Sequence, residues 1–237
     1  MDPNRSSSPK SGARRQDLVG DRVEEGLAIE AGFENWLAIA RHAGRDPQTR
    51  AGNFATDLAL AEDIEAEERL LVSTAPDWSA AVFFETHTAG GSDYTKGSEH
   101  YVVRYRAGGE TRVLKATIPG KYGRFEYTPT IYLKSLTLLN SFVPSLEIRL
   151  HGIRVAADAK PSLVTSMHYI KGSHPHPKEI EKYLFPLGWE NFHDNSETLD
   201  FRHLTLRQVI RDAHPRNWVR EKDTGSLVPI DISIEEF

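Results

Sequence analysis

The sequence predicts an α+β domain built around an antiparallel sheet. Short β-rich runs separated by turn signals begin after Pro76, a helical segment is interposed among them, and the sequence ends in a hairpin pattern. Antiparallel strands with an interposed helix are typical of the α+β class. Two further helices are predicted ahead of the sheet.

The first of these N-terminal helices covers residues 33–40, which have an amphipathic pattern ending near Gly44. The second covers about residues 56–72 and carries an uneven apolar stripe opposite an acidic face. A solvated face is the expected role of that acidic run, and a partner surface is the alternative. The first 17 residues are polar and basic without an apolar core, which excludes a secretory signal. We therefore predict a disordered leader (1–24), a helical extension (25–76) and a sheet domain (77–237).

The sheet domain is predicted from the alternation of strand and turn residues. Thr128 and Pro129 form an N-cap and first-turn pair that starts a helix ending near Phe142. A second helix covers residues 177–184 and is closed by the sequence around Gly188. A final hairpin pairs residues 209–220 with residues 227–234. The remaining predicted strands are residues 81–85, 101–106, 111–116, 146–153 and 163–170.

The composition limits the classes of function. With 29 basic and 34 acidic residues among 237, the formal charge is −5, which makes nucleic acid an unlikely partner but leaves room for a nucleotide in a local positive pocket. The chain has no cysteine, which excludes disulfides and thiolate-bound metals and fits a reducing cytoplasm. No apolar run approaches the roughly 20 residues that a membrane span needs. We expect a cytoplasmic protein without a membrane partner.

The strongest functional signal lies in residues 210–217 (IRDAHPRN) and 229–231 (PID). Asp212 and Asn217 are five residues apart, the spacing of Asp and Asn in the kinase catalytic loop, and Asp231 follows across a short hairpin. Phosphoryl transfer requires Mg²⁺ held against the phosphates and an acceptor hydroxyl held in line. Carboxylate and amide oxygens suit Mg²⁺, and a second carboxylate can orient the hydroxyl or accept its proton. The alternative is two surface turns capped by Asp and Asn.

Weaker signals lie upstream. Lys115 ends the apolar strand pattern Val113-Leu114 and, facing a cleft, would neutralise phosphate charge; an exposed strand lysine is the alternative. Gly90 and Gly91 lie in a loop that could cover phosphates, or in an ordinary hairpin tip. His174 and His176 alternate with prolines, which makes a poor zinc site and favours a loop entering the helix at Pro177.

Taken together, the region from about residue 82 to residue 234 resembles the small serine/threonine/tyrosine kinase-like domain found in polyvalent proteins of phages and conjugative elements. The resemblance covers about two thirds of the chain. It implies an abbreviated protein-kinase-like fold, with an antiparallel N-lobe sheet, a hinge and a minimal C-lobe hairpin. The matching residues are 111–115, 128–129, 132–133, 140, 170–172, 179–180, 187–189, 212–217 and 229–231.

The resemblance also implies roles for individual residues. Lys115 becomes the phosphate ligand, Asp212 the catalytic carboxylate, and Asn217 and Asp231 the Mg²⁺ ligands. Residues 167–172 become the hinge that contacts the adenine of ATP, with Met167, His168, Tyr169 and Ile170 as its binding residues. A mobile-element setting is likewise implied by the family.

Two departures from the kinase pattern leave alternatives open. Kinases pair the strand lysine with a glutamate on the following helix, yet residues 129–142 contain no acidic residue, so Glu126 or Glu147 is the possible substitute. Six residues follow Asp231, which leaves no room for an activation segment or a large helical C-lobe. The hypotheses are therefore a Mg-ATP-dependent phosphotransferase with an unknown acceptor, a pseudokinase or nucleotide-binding interaction module, and a metal-dependent hydrolase that uses Asp212, His214 and Asp231.

Overall fold

The computed structural model describes residues 27–42, 57–81, 84–85, 94–123, 127–157, 159–192 and 199–237. The predicted leader (1–24), the segment with Gly90 and Gly91, and Glu126 lie outside these residues. The described chain is α+β, as predicted, with four helices of at least eight residues and three antiparallel sheets. None of its helices is long and apolar enough to cross a membrane.

The main sheet has six strands in the order β1-β5-β6-β4-β3-β2. The β3–β4 hairpin and strands β5 and β6 were predicted, with bounds that differ by a few residues. The short strands at the two edges were not predicted. The strands are β1 (Leu27–Ala28), β2 (Tyr94–Lys96), β3 (His100–Ala107), β4 (Glu110–Thr117), β5 (Arg149–Val155) and β6 (Pro161–His168).

In the described part of the chain, five helices with complete bounds accompany this sheet and the strands that follow it. The two long N-terminal helices and the two helices of the sheet domain were predicted, and the four-residue helix was not. They are α1 (Ile29–His42), α2 (Asp57–Ser73), α3 (Ala75–Trp78), α4 (Pro129–Phe142) and α5 (Pro177–Leu184).

Helix α4 begins as the sequence predicts and receives a further cap from the N-terminal region. The hydroxyl of Thr128 accepts a hydrogen bond from Ile131 N, and Pro129 occupies the first turn. In addition, Glu67 Oε2 on α2 accepts hydrogen bonds of 2.8 Å from the Thr130 amide and hydroxyl. Burial raises the pKa of Glu67, and these hydrogen bonds oppose the rise. An acidic group at a helix N-terminus also interacts favourably with the helix dipole, so α2 fixes where α4 starts.

One predicted strand is wrong. Residues 81–85 were expected to extend the sheet, but Ala81, Phe84 and Glu85, the described members of that run, are helical. The Phe84 amide donates to Ala80 O four residues earlier, which is the helical pattern. Buried Phe84 packs against Leu114 and Val164 on one face of the main sheet. A short, continuous apolar run has no periodicity that separates a buried strand from a buried helix.

The predicted terminal hairpin consists of two successive ladders that belong to different sheets. Strand β10 (Gln208–Arg211) pairs with β13 (Ser233–Glu236), and β11 (Trp218–Glu221) pairs with β12 (Leu227–Pro229). The first ladder joins a four-stranded sheet with β8 (Glu190–Asn191) and β9 (Phe201–His203). The second joins a three-stranded sheet with β7 (Gly172–Ser173). Between the ladders, six residues on one arm lie opposite three on the other.

Most of the described elements share one large apolar core, and a smaller apolar cluster around Phe84 lies on the opposite face of the main sheet. The large core joins Trp36 of α1 and Leu133 of α4 to Leu150 of the main sheet and to Ile210 and Trp218 of the C-terminal ladders. All five side chains are at most 2 % exposed. The N-terminal helices therefore pack into the same core as the sheets, while a domain boundary at residue 76 stays a prediction.

Residues 169–171 connect the main sheet to the three-stranded sheet. Directly after them, the backbone of β7 lies very close to the backbone of β11. Strand β7 pairs with β11 through Ser173 and Arg220 and through Gly172 and Glu221. A Cβ atom on Gly172 would lie 1.9 Å from the carbonyl oxygen of Arg220, far inside van der Waals contact. Glycine is therefore needed here for close backbone approach.

Candidate active site

The interruption between the two C-terminal ladders brings the predicted loop residues together. Residues 212–217 are the unpaired segment between β10 and β11, and residues 230–232 are the unpaired segment opposite them, between β12 and β13. The carbonyl oxygen of Asn217 accepts hydrogen bonds from the amides of Ile230, at 2.7 Å, and Asp231, at 3.4 Å. Asn217 and Asp231 are thus neighbours in space, as the sequence interpretation requires.

Asp212 and Asn217 are joined directly by their side chains. Asn217 Nδ2 donates to Asp212 Oδ2 at 2.8 Å and to the Asp212 carbonyl oxygen at 2.9 Å. The loop between them contains a 3-10 turn (Pro215–Asn217), and His214 Nδ1 caps that turn by accepting from Arg216 N. The five-residue spacing is therefore the length of one loop that folds back on itself.

Asp212 has a backbone conformation that is uncommon for a residue with a side chain. Its φ angle is +56°, in the left-handed region. The Asp212 amide donates to Asp200 Oδ1 at 2.9 Å, and Arg211 Nη1 donates to Asp200 Oδ2 at 3.0 Å. Sequence reasoning missed Asp200, because its partners are a backbone amide and a neighbouring arginine that no motif spacing links to it.

Lys115 reaches the same site from the main sheet. It lies on β4 opposite Val102 of β3 and Thr165 of β6, with its side chain only 12 % exposed. Its Nζ atom is 2.6 Å from Asp231 Oδ1 and donates to the Ile230 carbonyl oxygen at 3.0 Å. A continuous series of contacts therefore joins Lys115, Asp231, Asn217 and Asp212, which are far apart in the chain.

The ion pair determines the charge state of Asp231, whose side chain is 49 % exposed. Desolvation alone would raise the pKa of Asp231, but the Lys115 ammonium and then His100 outweigh it and hold the pKa below its ordinary value. Asp231 is thus an anion at neutral pH. Lys115 is thus paired with Asp231 of the C-terminal region, because α4 contains no acidic residue.

Of the two possible substitutes for a helix glutamate, only Glu147 lies in the described residues, and it does not take that place. Glu147 contacts His168 Nε2 at 3.2 Å, Arg149 Nη2 at 3.3 Å and Arg112 Nη1 at 3.7 Å, not Lys115. A hydrogen bond with His168 lowers the pKa of Glu147. Glu126 lies outside the described residues. Glu147 is therefore ruled out as the possible substitute that pairs with the strand lysine.

His100 and Tyr132 form a buried polar pair close to the ion pair, and no motif in the sequence links these two residues. A hydrogen bond of 3.1 Å joins His100 Nε2 to the Tyr132 hydroxyl. The side chains are 7 % and 5 % exposed. Burial lowers the pKa of His100 to about 4, and burial raises the pKa of Tyr132. Both are therefore neutral at pH 7, with Tyr132 at a position on α4 that faces the site.

The depressed pKa of His100 predicts a pH-dependent stability. The unfolded chain takes up a proton near pH 6.5, whereas the folded protein does so only near pH 4, so the unfolding free energy should fall as the pH is lowered through this window. The expected loss is about 3 kcal/mol. In His100→Gln, which cannot titrate, urea unfolding at pH 7, 5 and 4 should show a correspondingly smaller loss. Equal losses in the two proteins would contradict the assignment.

The predicted hinge residues do not share one face of the sheet. Met167 is buried opposite Val113, on the same side of the sheet as Lys115. His168 lies opposite Arg112, on the other side. Tyr169 is 38 % exposed beside an open groove of about 820 Å³, with the Arg104 guanidinium 5.3 Å from its ring centre. His168 and Tyr169 both line that groove, whereas Met167 is buried and does not, so adenine binding by these residues stays a prediction.

The two loop histidines have structural roles, as the sequence favoured. His174 Nδ1 is hydrogen-bonded to the Trp218 carbonyl oxygen at 2.9 Å, and His176 caps α5 by accepting from Lys178 N. The backbone amide of His176 in turn donates to Glu179, which completes a capping box. Within the described ranges, no group of three or more His, Cys, Asp and Glu side chains is placed to hold a metal.

A comparison with protein families identifies the group to which this architecture belongs. The family model described as the serine/threonine/tyrosine kinase found in polyvalent proteins matches residues 65–236, which is 172 of the 237 residues. The chain belongs to this family. The kinase family match begins inside α2, 17 residues earlier than the sequence resemblance suggested, and it includes Lys115 and all of the Asp212–Asp231 region. No curated protein and no solved structure matches the chain.

Proposed function

We propose that this kinase-family protein is a Mg-ATP-dependent phosphotransferase that moves the γ-phosphoryl group to a hydroxyl on a protein or a small molecule. The observation that supports the proposal is the continuous series of contacts from Lys115 through Asp231 and Asn217 to Asp212. These contacts bring an ammonium group, a carboxamide and two carboxylates together. Phosphoryl transfer is catalysed mainly by positioning and charge stabilisation, which such a set can provide.

Each side chain has a role in the proposed reaction. Lys115 would move from Asp231 to the α- and β-phosphates, since phosphate oxygens offer it more negative charge. Asp212 would orient the acceptor hydroxyl and accept its proton. Asn217 holds the Asp212 carboxylate in place through its Nδ2 group.

The chemistry of two oxygen atoms in the site suits a magnesium ion. Among the described residues, Asp231 Oδ2 and Asn217 Oδ1 have no protein hydrogen-bond partner, and both are hard oxygen ligands of the kind that Mg²⁺ prefers. These two residues would hold the ion. When bound, Mg²⁺ would neutralise charge that develops on the transferred phosphate.

A nucleotide-binding module without turnover is the second proposal, and one observation favours it. Lys115 is paired with Asp231, the residue that we propose binds the metal, and not with a carboxylate on α4. A nucleotide must break this pair before the ammonium can reach a phosphate. The hydrolase alternative is less well supported, because His214 Nδ1 is engaged in capping its own turn.

Binding of Mg-ATP should be visible as thermal stabilisation of the folded protein. At a free concentration 100 times its dissociation constant, the ligand should raise the unfolding free energy by about 2.7 kcal/mol. Removing Mg²⁺ with a chelator, or replacing Asp231 by Asn, should abolish most of this increase. Asp223→Asn, in an exposed turn, is the matched control and should behave like the wild type.

The outcome separates the proposals. Stabilisation together with transfer of a labelled γ-phosphate, to the protein itself or to an added acceptor, supports the phosphotransferase. Stabilisation without transfer supports the binding module. Metal-dependent hydrolysis that needs no ATP would support the hydrolase, and no stabilisation of the wild type by Mg-ATP would contradict both nucleotide proposals. The acceptor and a cytoplasmic location also stay predictions.

A further inference from the structure

We infer that Asp200 is a positioning residue, which holds the proposed catalytic carboxylate of Asp212 in its working orientation. The inference rests on the proposed phosphotransferase function. Asp200 directly precedes β9, which pairs with β10, the strand that leads into the Asp212 loop.

The Asp200 carboxylate accepts hydrogen bonds from Asp212 and from the preceding residue, Arg211. Asp200 is 5 % exposed. Its Oδ1 atom accepts from the Asp212 amide at 2.9 Å, and its Oδ2 atom accepts from Arg211 Nη1 at 3.0 Å. Both carboxylate oxygens are thus used, and a buried carboxylate with a charged partner has one well-defined geometry.

Arg211 is itself held from several sides, which makes the support rigid. Its guanidinium lies 5.2 Å from the ring centre of Phe192, and its Nε atom is 3.9 Å from Glu235 Oε1. The next amide in the loop is also fixed, because Ala213 N donates to the Leu199 carbonyl oxygen at 2.8 Å. Residues 199–200 therefore hold two successive amides of the loop.

The conformation of Asp212 explains why such support is needed. A left-handed φ of +56° is disfavoured for a residue with a Cβ atom, so Asp212 keeps it only where its surroundings compensate. The hydrogen bond from its amide to Asp200 is one compensating contact, beside the two hydrogen bonds that Asp212 accepts from Asn217 Nδ2. Without it, the backbone would relax and the Asp212 carboxylate would turn away from Asn217 and from an incoming hydroxyl.

The test compares Asp200→Asn and Asp200→Ala with wild type and with Asp223→Asn as a surface control. Because Asp200 contacts neither Lys115 nor Asp231, the KM for Mg-ATP should stay unchanged. The kcat should fall by roughly 10- to 100-fold in Asp200→Ala, as expected when a reacting group is displaced by about 1 Å. The loss should be smaller in Asp200→Asn, which keeps the Oδ1 acceptor. A purely structural role would not give this separation of kcat from KM.

Amide hydrogen exchange gives a readout that does not require activity. The Asp212 amide should exchange faster in Asp200→Ala than in wild type, with Asp200→Asn between them, while the Val219 amide should be unaffected. If the wild type transfers no phosphate, the proposed function fails, and this exchange pattern alone decides whether Asp200 positions Asp212. Unchanged kcat in Asp200→Ala, or unchanged Asp212 exchange in both variants, would overturn the inference. If the alanine variant does not fold, the asparagine variant decides by the same criteria.

Discussion

Replacing Asp212 by asparagine is expected to lower the rate of phosphoryl transfer by about 10²- to 10⁴-fold, the usual contribution of a positioned general base. The substitution keeps the size of the side chain and an oxygen that can accept from Asn217 Nδ2. It removes the negative charge and the ability to accept a proton from the acceptor hydroxyl. Since Lys115 and Asp231 are untouched, binding of Mg-ATP should persist.

The measurement is the initial rate of transfer from labelled ATP, together with the thermal shift caused by Mg-ATP in the same samples. Asp223→Asn, which makes the same chemical change in an exposed turn, should have the wild-type rate. A wild-type rate in Asp212→Asn would show that Asp212 is not the catalytic carboxylate. Loss of the thermal shift together with the rate would instead place Asp212 among the residues that bind the metal or nucleotide.

Truncating Trp36 to alanine should lower the unfolding free energy by about 3–5 kcal/mol, the usual cost of removing a large aromatic from a core. Trp36 is fully buried, its ring centre lies 6.0 Å from that of Trp78, and its Nε1 atom donates to the Thr130 hydroxyl at 2.9 Å. The same hydroxyl donates to Glu67. The substitution therefore opens a cavity beside the first turn of α4 as well as removing a hydrogen bond.

Urea unfolding of the purified variants would measure this change. Trp36→Phe should cost less than Trp36→Ala, because the smaller aromatic ring still fills most of the apolar volume. Leu27→Ala, at a residue 46 % exposed, is the surface control and should change the unfolding free energy by about 0.5 kcal/mol or less. A loss below about 1 kcal/mol in Trp36→Ala would show that α1 contributes little to the stability of the sheet domain.

Local signals predicted much of the fold. Thr128 and Pro129 started α4 as expected, because an N-cap and a first-turn proline act within a few residues. The β3–β4 hairpin was predicted because its two strands are separated by turn residues. The run at residues 81–85 was misread, since its apolar residues fit either a buried helix or a buried strand and only the packing of Phe84 decides between them.

The sequence predicted which residues form the candidate site, but it did not predict the contacts between them. Spacing suggested Asp212, Asn217 and Asp231, and the structure places them side by side with Lys115. The pairing of Lys115 with Asp231 could not be read from the sequence, because it depends on how the main sheet meets the C-terminal ladders. Asp200 was missed for a similar reason, since its contact to the Asp212 backbone leaves no trace in residue spacing.

The close contact between Gly172 and Arg220 makes the connection between the main sheet and the three-stranded sheet sensitive to substitution at residue 172. Any larger residue there must push β7 away from Arg220. Because β7 follows the end of β6 after three residues, that shift would be passed to the strand beside Lys115. The gap between the ammonium and Asp231 would widen although neither residue had changed. If a substitution at this glycine lowered the rate of phosphoryl transfer, the cause would therefore be a changed distance between the two sheets, and not the loss of a side chain that binds the phosphates or the metal.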